Sequence, residues 1–156
     1  MAIFKKIGKR LSKAYFKEPK MTHEEWATKK VYFPSQDISP ILGYFKIKFS
    51  PQYKLLFKLM DRPDVHTLFA KWASQSGTSL FEMLIIGYRL DNEPANVLYM
   101  QPIKDDIPKV LRLKINPVLK CIKDLWQKFE DYIATEGIRS KDAIKQLAGG
   151  SLGVSG

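Results

Sequence analysis

The stretch KWASQSGTSL, residues 71 to 80, constrains the fold of this chain more than any other feature. A strand-like apolar run over residues 65 to 70 leads into it, and an apolar helical run over residues 79 to 91 leads out. Residues 96 to 102, NVLYMQP, then have the composition of a buried strand in a parallel sheet. A strand, a loop, a helix and a second strand in this order predict a βαβ unit, and therefore an α/β fold.

A helix is predicted upstream of the loop. Ser50 has the side chain of an N-cap, Pro51 suits the first helical position, and Pro63 stands just past the expected end. Before this helix, the alternating run YFKIKF, residues 44 to 49, predicts a brief strand or extended segment.

Further helices and a hairpin are predicted after the second strand. Asp105 and Asp106 open a helical stretch that continues after Pro117 with similar apolar spacing. The last residues predict a hairpin around Gly149 and Gly150. The apolar positions that share one face of the helical stretch are Ile107, Val110, Leu111 and Ile115.

Size and charge limit the classes of protein to consider. With 156 residues, 45% of them hydrophobic, the chain can bury one core and is expected to form one domain or part of one. The balance of 26 Lys and Arg against 16 Asp and Glu gives a net charge of +10, which favours a polyanionic partner such as nucleic acid or an acidic membrane surface.

Cysteine usage and hydropathy bear on the compartment. The single cysteine, Cys121, excludes an internal disulfide framework and indicates a buried small hydrophobe in a reducing compartment. No apolar run approaches the roughly 20 residues that span a bilayer, and the first residues lack the features of a secretory signal. A cytoplasmic location is expected.

The first 30 residues form a distinct basic segment, with nine Lys and Arg against three Asp and Glu, or +6 of the total +10. Apolar residues at helical spacing predict an amphipathic helix there. Three interpretations of this helix stay open. It packs on the rest of the protein, it contacts DNA phosphates or a partner subunit, or it lies on a membrane surface. The candidate contact residues for DNA or a partner are Lys5, Lys6, Lys9, Arg10 and Lys13.

The loop has the composition of a phosphate-binding loop. Small residues let backbone N–H groups close around phosphate oxygens, and the helix that follows offers the positive end of its dipole. Gly77 and Ser79 fit the end of the pattern G-x-x-x-x-G-K-[ST], but Thr78 stands where the lysine is expected and the leading glycine is missing. On these residues alone, a nucleotide site competes with an ordinary strand-to-helix turn capped by Ser76 or Thr78.

Five segments follow one another along the chain: EEWA (24 to 27), GYFKIKFSPQYKLLFKLMDRPDV (43 to 65), FAKWASQSGTS (69 to 79), LIIGYRLDNEPANVLYMQP (84 to 102) and LAGGSLGVSG (147 to 156). Their order and spacing resemble the ATPase domain of the lambda-type phage terminase large subunit, the GpA family of DNA-packaging motors. That resemblance implies a three-layer P-loop NTPase-type parallel sheet, here incomplete, preceded by the basic N-terminal helix. Residues 1 to 42 would be the basic helix and a connector, and residues 43 to 156 the N-terminal portion of a P-loop ATPase domain.

The resemblance implies roles for the loop residues. Lys71, one residue before the upstream position of the family's lysine, would be the phosphate cation; the alternative is a strand-end lysine with a solvated head. The Ser79 hydroxyl would hold Mg²⁺. The backbone amides that would cradle the phosphates are those of Gln75, Ser76, Gly77 and Thr78.

The resemblance also implies residues for the base. Gln52, in a Pro51-Gln52-Tyr53 order where the family has Pro-Tyr-Gln, would read the adenine edge, with an exposed helix glutamine as the alternative. Tyr44 or Tyr53 would stack on the base, with core packing as the alternative. Gln101-Pro102, at the end of the second strand, would shape the nucleotide-facing or DNA-facing edge of the sheet.

The function that the resemblance implies is that of a viral DNA packaging motor using ATP and Mg²⁺ in the host cytoplasm. Its partners would be double-stranded DNA, the terminase small subunit, the portal or procapsid and further copies of itself, with no membrane. An apolar strand ending in an acidic pair and an acidic nuclease cluster are not found in the sequence, so we expect no ATP turnover by this chain alone. The alternatives are a non-enzymatic basic adaptor with a degenerate phosphate loop and a helicase-like P-loop ATPase.

Overall fold

The computed structural model describes residues 21–36, 38–39, 42–93, 95–100, 107–136, 144–147 and 150–155. The predicted basic N-terminal helix, with Lys5, Lys6, Lys9, Arg10 and Lys13, lies outside these residues, as do Gln101, Pro102, Asp105 and Asp106. Helices and two small sheets make up the described part, so the mixed α/β class is confirmed. A three-layer P-loop sheet stays a prediction.

The described elements follow one another as helices with short strands between them. The α-helices are α1 (His23–Lys30), α2 (Gln52–Met60), α3 (Thr78–Asp91), α4 (Ile107–Val110), α5 (Asn116–Lys120) and α6 (Lys123–Glu136). A 3-10 helix covers Ile47–Phe49, and a π-helical segment, Leu111–Ile115, joins α4 to α5. The strands are β1 (Tyr32–Phe33), β2 (Gly43–Tyr44), β3 (Asn96–Met100), β4 (Ile144–Leu147) and β5 (Gly150–Ser155).

The larger sheet has three strands in the order β3-β5-β4. Strand β3 runs parallel to β5, with Asn96 opposite Ser151, and β4 runs antiparallel to β5, with Ile144 opposite Gly153. The predicted C-terminal hairpin is therefore confirmed, and the predicted second strand is confirmed at residues 96–100 with a parallel neighbour. Its predicted burial was wrong, because Leu98 is 64% and Met100 is 69% exposed. The smaller sheet is the antiparallel pair of β1 and β2.

The core lies among α1, α2, α3 and the helices after residue 107. Trp26, Tyr53, Leu84, Leu119 and Leu125 are each no more than 1% exposed, and burying each aliphatic side chain of this size contributes roughly 1.5–3 kcal/mol. The predicted apolar face of the helical stretch is confirmed at three of its positions, because Val110, Leu111 and Ile115 are buried.

Cys121 is buried at the end of α5, as the sequence predicted. Burial raises the pKa of its thiol to about 11, because the thiolate would lose its hydration. Its Sγ lies 3.2 Å from the carbonyl oxygen of Pro117. The thiol therefore behaves as a packed, protonated group. None of the described helices combines the length and the hydropathy needed to cross a bilayer.

The predicted strand over residues 65 to 70 was wrong. These residues are irregular, Phe69 is 94% exposed, and the turn bond from Val65 N to Arg62 O is not followed by ladder bonds. A strand needs a hydrogen-bonded neighbour, and among the described strands β3 pairs only with β5. The described part therefore holds the helix and the second strand of the predicted βαβ unit without its first strand.

Upstream, the predicted N-cap was wrong, and the predicted brief strand over residues 44 to 49 is confirmed only at Tyr44. Helix α2 starts at Gln52 with Pro51 before it, and no side chain caps it; Ser50 instead accepts a backbone bond from Tyr53 N at 3.0 Å. The run YFKIKF contributes only Tyr44 to a strand and then forms the 3-10 helix. Strand β2 stops early because its partner, β1, is two residues long.

Candidate nucleotide site

The glycine-containing loop before α3 is a compact turn with two left-handed residues. Gln75 has φ 59° and Gly77 has φ 89°, while the Ser76 hydroxyl donates to the carbonyl oxygen of Ala73 at 2.7 Å. Left-handed residues among right-handed ones turn successive N–H groups toward the same side and create concave anion-binding surfaces. A non-glycine residue at positive φ is uncommon, so Gln75 marks a backbone shape that its surroundings impose.

The N-terminus of α3 is not capped by a side chain. Its N-cap is Gly77, and the first bond into the helix runs from Phe81 N to the carbonyl oxygen of Gly77 at 3.0 Å. The alternative interpretation of the loop predicted that the side chain of Ser76 or Thr78 caps the helix. That prediction was wrong, because the N-cap residue is Gly77. The first backbone N–H groups of an α-helix have no partner inside the helix, and an anion is a ready ligand for them.

Helix α2 holds the carbonyl groups of the loop. Gln52 Nε2 donates to the carbonyl oxygen of Ser76 at 3.2 Å, and the Tyr53 hydroxyl donates to that of Gly77 at 2.6 Å. In a trans peptide the N–H points opposite to the C=O, and these peptides are trans. The N–H groups of Gly77 and Thr78 therefore point away from α2.

Tyr53 packs in the core, so its predicted alternative role in stacking on a base was wrong. Its side chain is fully buried and contacts the rings of Trp72 and Phe81, with centroid distances of 5.9 and 5.2 Å. Burial raises the pKa of its phenol to about 12, although the hydrogen bond to Ser50 acts in the opposite direction. Tyr44 is 55% exposed and has its edge against Tyr32, so a stacking role for Tyr44 stays a prediction.

Lys71 and Ser79 lie at the two ends of the loop, and both are exposed. Trp72, next to Lys71, turns inward against Phe81 at 5.6 Å, which fixes the start of the loop on the core. The Ser79 side chain lies in the first turn of α3 and lines a cavity. The role of Gln52 as an adenine reader stays a prediction, because its amide donates to the loop in this structure.

A hydroxyl at the start of a helix suits Mg²⁺ as one ligand among phosphate oxygens and waters. In the part of the chain that the structure describes, no group of three or more His, Cys, Asp or Glu side chains could hold a metal ion by itself. A role for Ser79 in holding Mg²⁺ stays a prediction.

The sequence missed the contact that holds the loop in place. The sequence suggested that Tyr53 stacks on a base or packs in the core. In the structure its ring packs in the core and its hydroxyl also donates a hydrogen bond to the carbonyl oxygen of Gly77. A signal for this contact was present, because Tyr53, Trp72 and Phe81 are aromatic residues on both sides of the glycine loop and form one cluster. A buried tyrosine in such a cluster usually needs a hydrogen-bond partner for its hydroxyl.

The fold and the loop define a mixed α/β protein with a small parallel sheet and a glycine turn at the start of a 14-residue core helix. The chain belongs to the phage terminase large subunit gpA family, since the model of that family's ATPase domain matches residues 39–156. No curated protein and no solved structure matches the chain significantly. The resemblance seen in the sequence is confirmed, and membership indicates nucleotide use and a role in phage DNA packaging.

Proposed function

We propose that this chain binds ATP with Mg²⁺ as the nucleotide-binding part of a motor that moves double-stranded DNA into a procapsid. The observation that carries the proposal is the loop, whose Gly77 and Thr78 amides point away from α2 at the uncapped start of α3. Membership in an ATPase-domain family supports the choice of ATP over other anions. The proposed partners are duplex DNA, the small terminase subunit, the portal or procapsid and further copies of the chain, in the host cytoplasm.

The residues take distinct roles in this proposal. The amides of the turn meet the phosphate oxygens, Lys71 adds a positive charge at the start of the loop, and the Ser79 hydroxyl binds Mg²⁺. Gln52 holds the loop and reaches the edge of the adenine. The phosphate-contacting amides are those of Gln75, Ser76, Gly77 and Thr78.

Calorimetric titration of the full chain with ATP and Mg²⁺ tests the proposal. We expect saturable binding that Ser79→Ala weakens about tenfold in Mg²⁺, because a charge-assisted contact is worth roughly 1.5–3 kcal/mol. The matched control is Ser74→Ala, an exposed serine of the same loop with no assigned role. Absence of binding by the unmodified chain, or equal effects of the two substitutions, would contradict the proposed site.

Removal of Mg²⁺ separates the metal from the loop. With a chelator present, we expect the unmodified chain and Ser79→Ala to bind ATP with the same reduced affinity, since the hydroxyl then has no metal to hold. A persisting difference between them would assign Ser79 to direct phosphate contact instead.

A further inference from the structure

A cavity of about 470 Å³ opens beside Ser79, between the first turns of α3 and the π-helical segment. On the α3 side its walls include Leu80 and Met83, so Ser79 stands at a polar edge of a largely apolar space. On the other side the π-helical segment contributes two cations. They are Arg112 and Lys114, with Leu113 between them.

The π-helical segment is fixed on both sides of these cations. Leu111 is 4% exposed and Ile115 is fully buried, whereas Arg112, Leu113 and Lys114 are exposed. Side chains presented from an anchored helical segment are positioned more closely than those of a free loop. π-Helical turns also occur frequently at functional sites.

Neither Arg112 nor Lys114 forms an ion pair with another of the described residues. The guanidinium of Arg112 has the planar fork that binds two oxygens of one phosphate group.

We propose that Arg112 is a second phosphate cation of the nucleotide site, reaching a nucleoside triphosphate across the cavity beside Ser79, with Lys114 adding to the local positive field. This inference rests on the proposed function. Lys71 stands at the start of the loop, whereas Arg112 lines the same cavity as Ser79, the proposed Mg²⁺ ligand just after the loop. The chain would thereby compensate for Thr78, which stands where the usual pattern has a lysine.

The test is calorimetric titration of the full chain and its variants with ATP and with ADP, each with Mg²⁺. We expect Arg112→Ala to weaken ATP binding about tenfold or more and ADP binding less, because the proposed contact is charge-assisted and would reach the terminal phosphate, which ADP lacks. Arg112→Lys should recover part of the loss. Lys109→Ala, an exposed cation of α4 outside the cavity, is the matched control and should stay within about twofold of the unmodified chain.

The outcomes separate this inference from the proposed function. If the unmodified chain binds no ATP, the proposed function fails. If it binds ATP and Arg112→Ala binds ATP equally well, only the role of Arg112 fails. Equal losses for ATP and ADP would contradict a contact with the terminal phosphate, and a lowered thermal unfolding midpoint for Arg112→Ala would assign the residue to structure. Either result would overturn the inference.

Discussion

The hydroxyl of Tyr53 lies 2.6 Å from the carbonyl oxygen of Gly77 and donates a hydrogen bond to it. The two residues are 24 positions apart, one in the first turn of α2 and one before α3. The same carbonyl accepts the first backbone bond of α3, from Phe81. The bond therefore joins the aromatic core to the turn that starts the helix.

Removing the Tyr53 hydroxyl should loosen the loop while leaving the ring in the core. We expect Tyr53→Phe to lower the free energy of unfolding by about 1 kcal/mol, the usual net worth of one neutral hydrogen bond. Urea unfolding measures it, and Tyr44→Phe, at an exposed tyrosine, should have no effect beyond error. Equal stability of Tyr53→Phe and the unmodified chain would show that the bond contributes nothing.

Adding a methyl group at Gly77 should be more damaging than adding one at Gly43. Both glycines have positive φ, 89° and 91°, so each alanine would suffer backbone strain of about 1–2 kcal/mol. At Gly77 the new Cβ would also lie 2.4 Å from Tyr53 Oη, whereas at Gly43 nothing lies within 4 Å.

Urea unfolding of Gly77→Ala and Gly43→Ala isolates the steric part as the difference between them. We expect the free energy of unfolding of Gly77→Ala to be lower than that of Gly43→Ala by about 1–3 kcal/mol, which is typical of an overpacked contact. The combination of Gly77→Ala with Tyr53→Phe should recover part of that difference, since the clashing oxygen is gone. An equal loss at both glycines would contradict the tight approach of Tyr53.

Alkaline pH should destabilise the fold through Tyr53 and Cys121. Both groups are buried in their protonated form, which raises the pKa of Tyr53 to about 12 from 10.0 and that of Cys121 to about 11 from 9.0. The unfolded chain loses these protons first as pH rises, so stability is complete below about pH 9 and falls between pH 9 and 12.

Urea unfolding free energies measured from pH 8 to pH 11 check this dependence. Cys121→Ala should lower stability at pH 8, because it leaves space in the core, but it should show a flatter decline between pH 9 and 11. A decline of unchanged slope in that variant would assign the alkaline effect to other groups.

The end of α2 should depend on Asp61. Its Oδ1 accepts from His23 N at 3.0 Å and lies 2.5 Å from His23 Nδ1, and the His23 ring is stacked on Tyr88 with centroids 3.7 Å apart. We expect Asp61→Ala to cost about 1–3 kcal/mol in the free energy of unfolding, because it leaves a buried donor without its acceptor.

Asp64→Ala is the matched control for this prediction. Asp64 pairs with Arg62 on the surface, with side chains 62% and 59% exposed, and exposed pairs of this kind contribute little to stability because solvent screens them. Thermal or urea unfolding of both variants measures the difference. A loss for Asp64→Ala as large as that for Asp61→Ala would contradict the role of the buried contact.

Local sequence patterns determined the helices of this protein well. The run after Gly77 has an apolar face over more than three turns, so α3 was predicted at residues 79 to 91 and is found at Thr78–Asp91. The hairpin near Gly149 and the parallel character of β3 were also predicted, because turn residues and apolar runs are local signals. Gly77 at the turn before a helix was likewise visible in the sequence.

Pairing and long-range contacts were decided only by the tertiary structure. Residues 65 to 70 have the composition of a strand, yet a strand exists only beside a partner, and none of the described strands pairs with them. Neither the inward turn of Trp72 nor the approach of Arg112 to the space beside Ser79 has a local signature. The sequence by itself determined a glycine loop, a helix after it and the family. Only the packing of α2 on the loop decided which way the amides of the loop face. The reason is that Gln52 and Tyr53, which bond to the loop carbonyl groups, lie 24 positions before them in the chain.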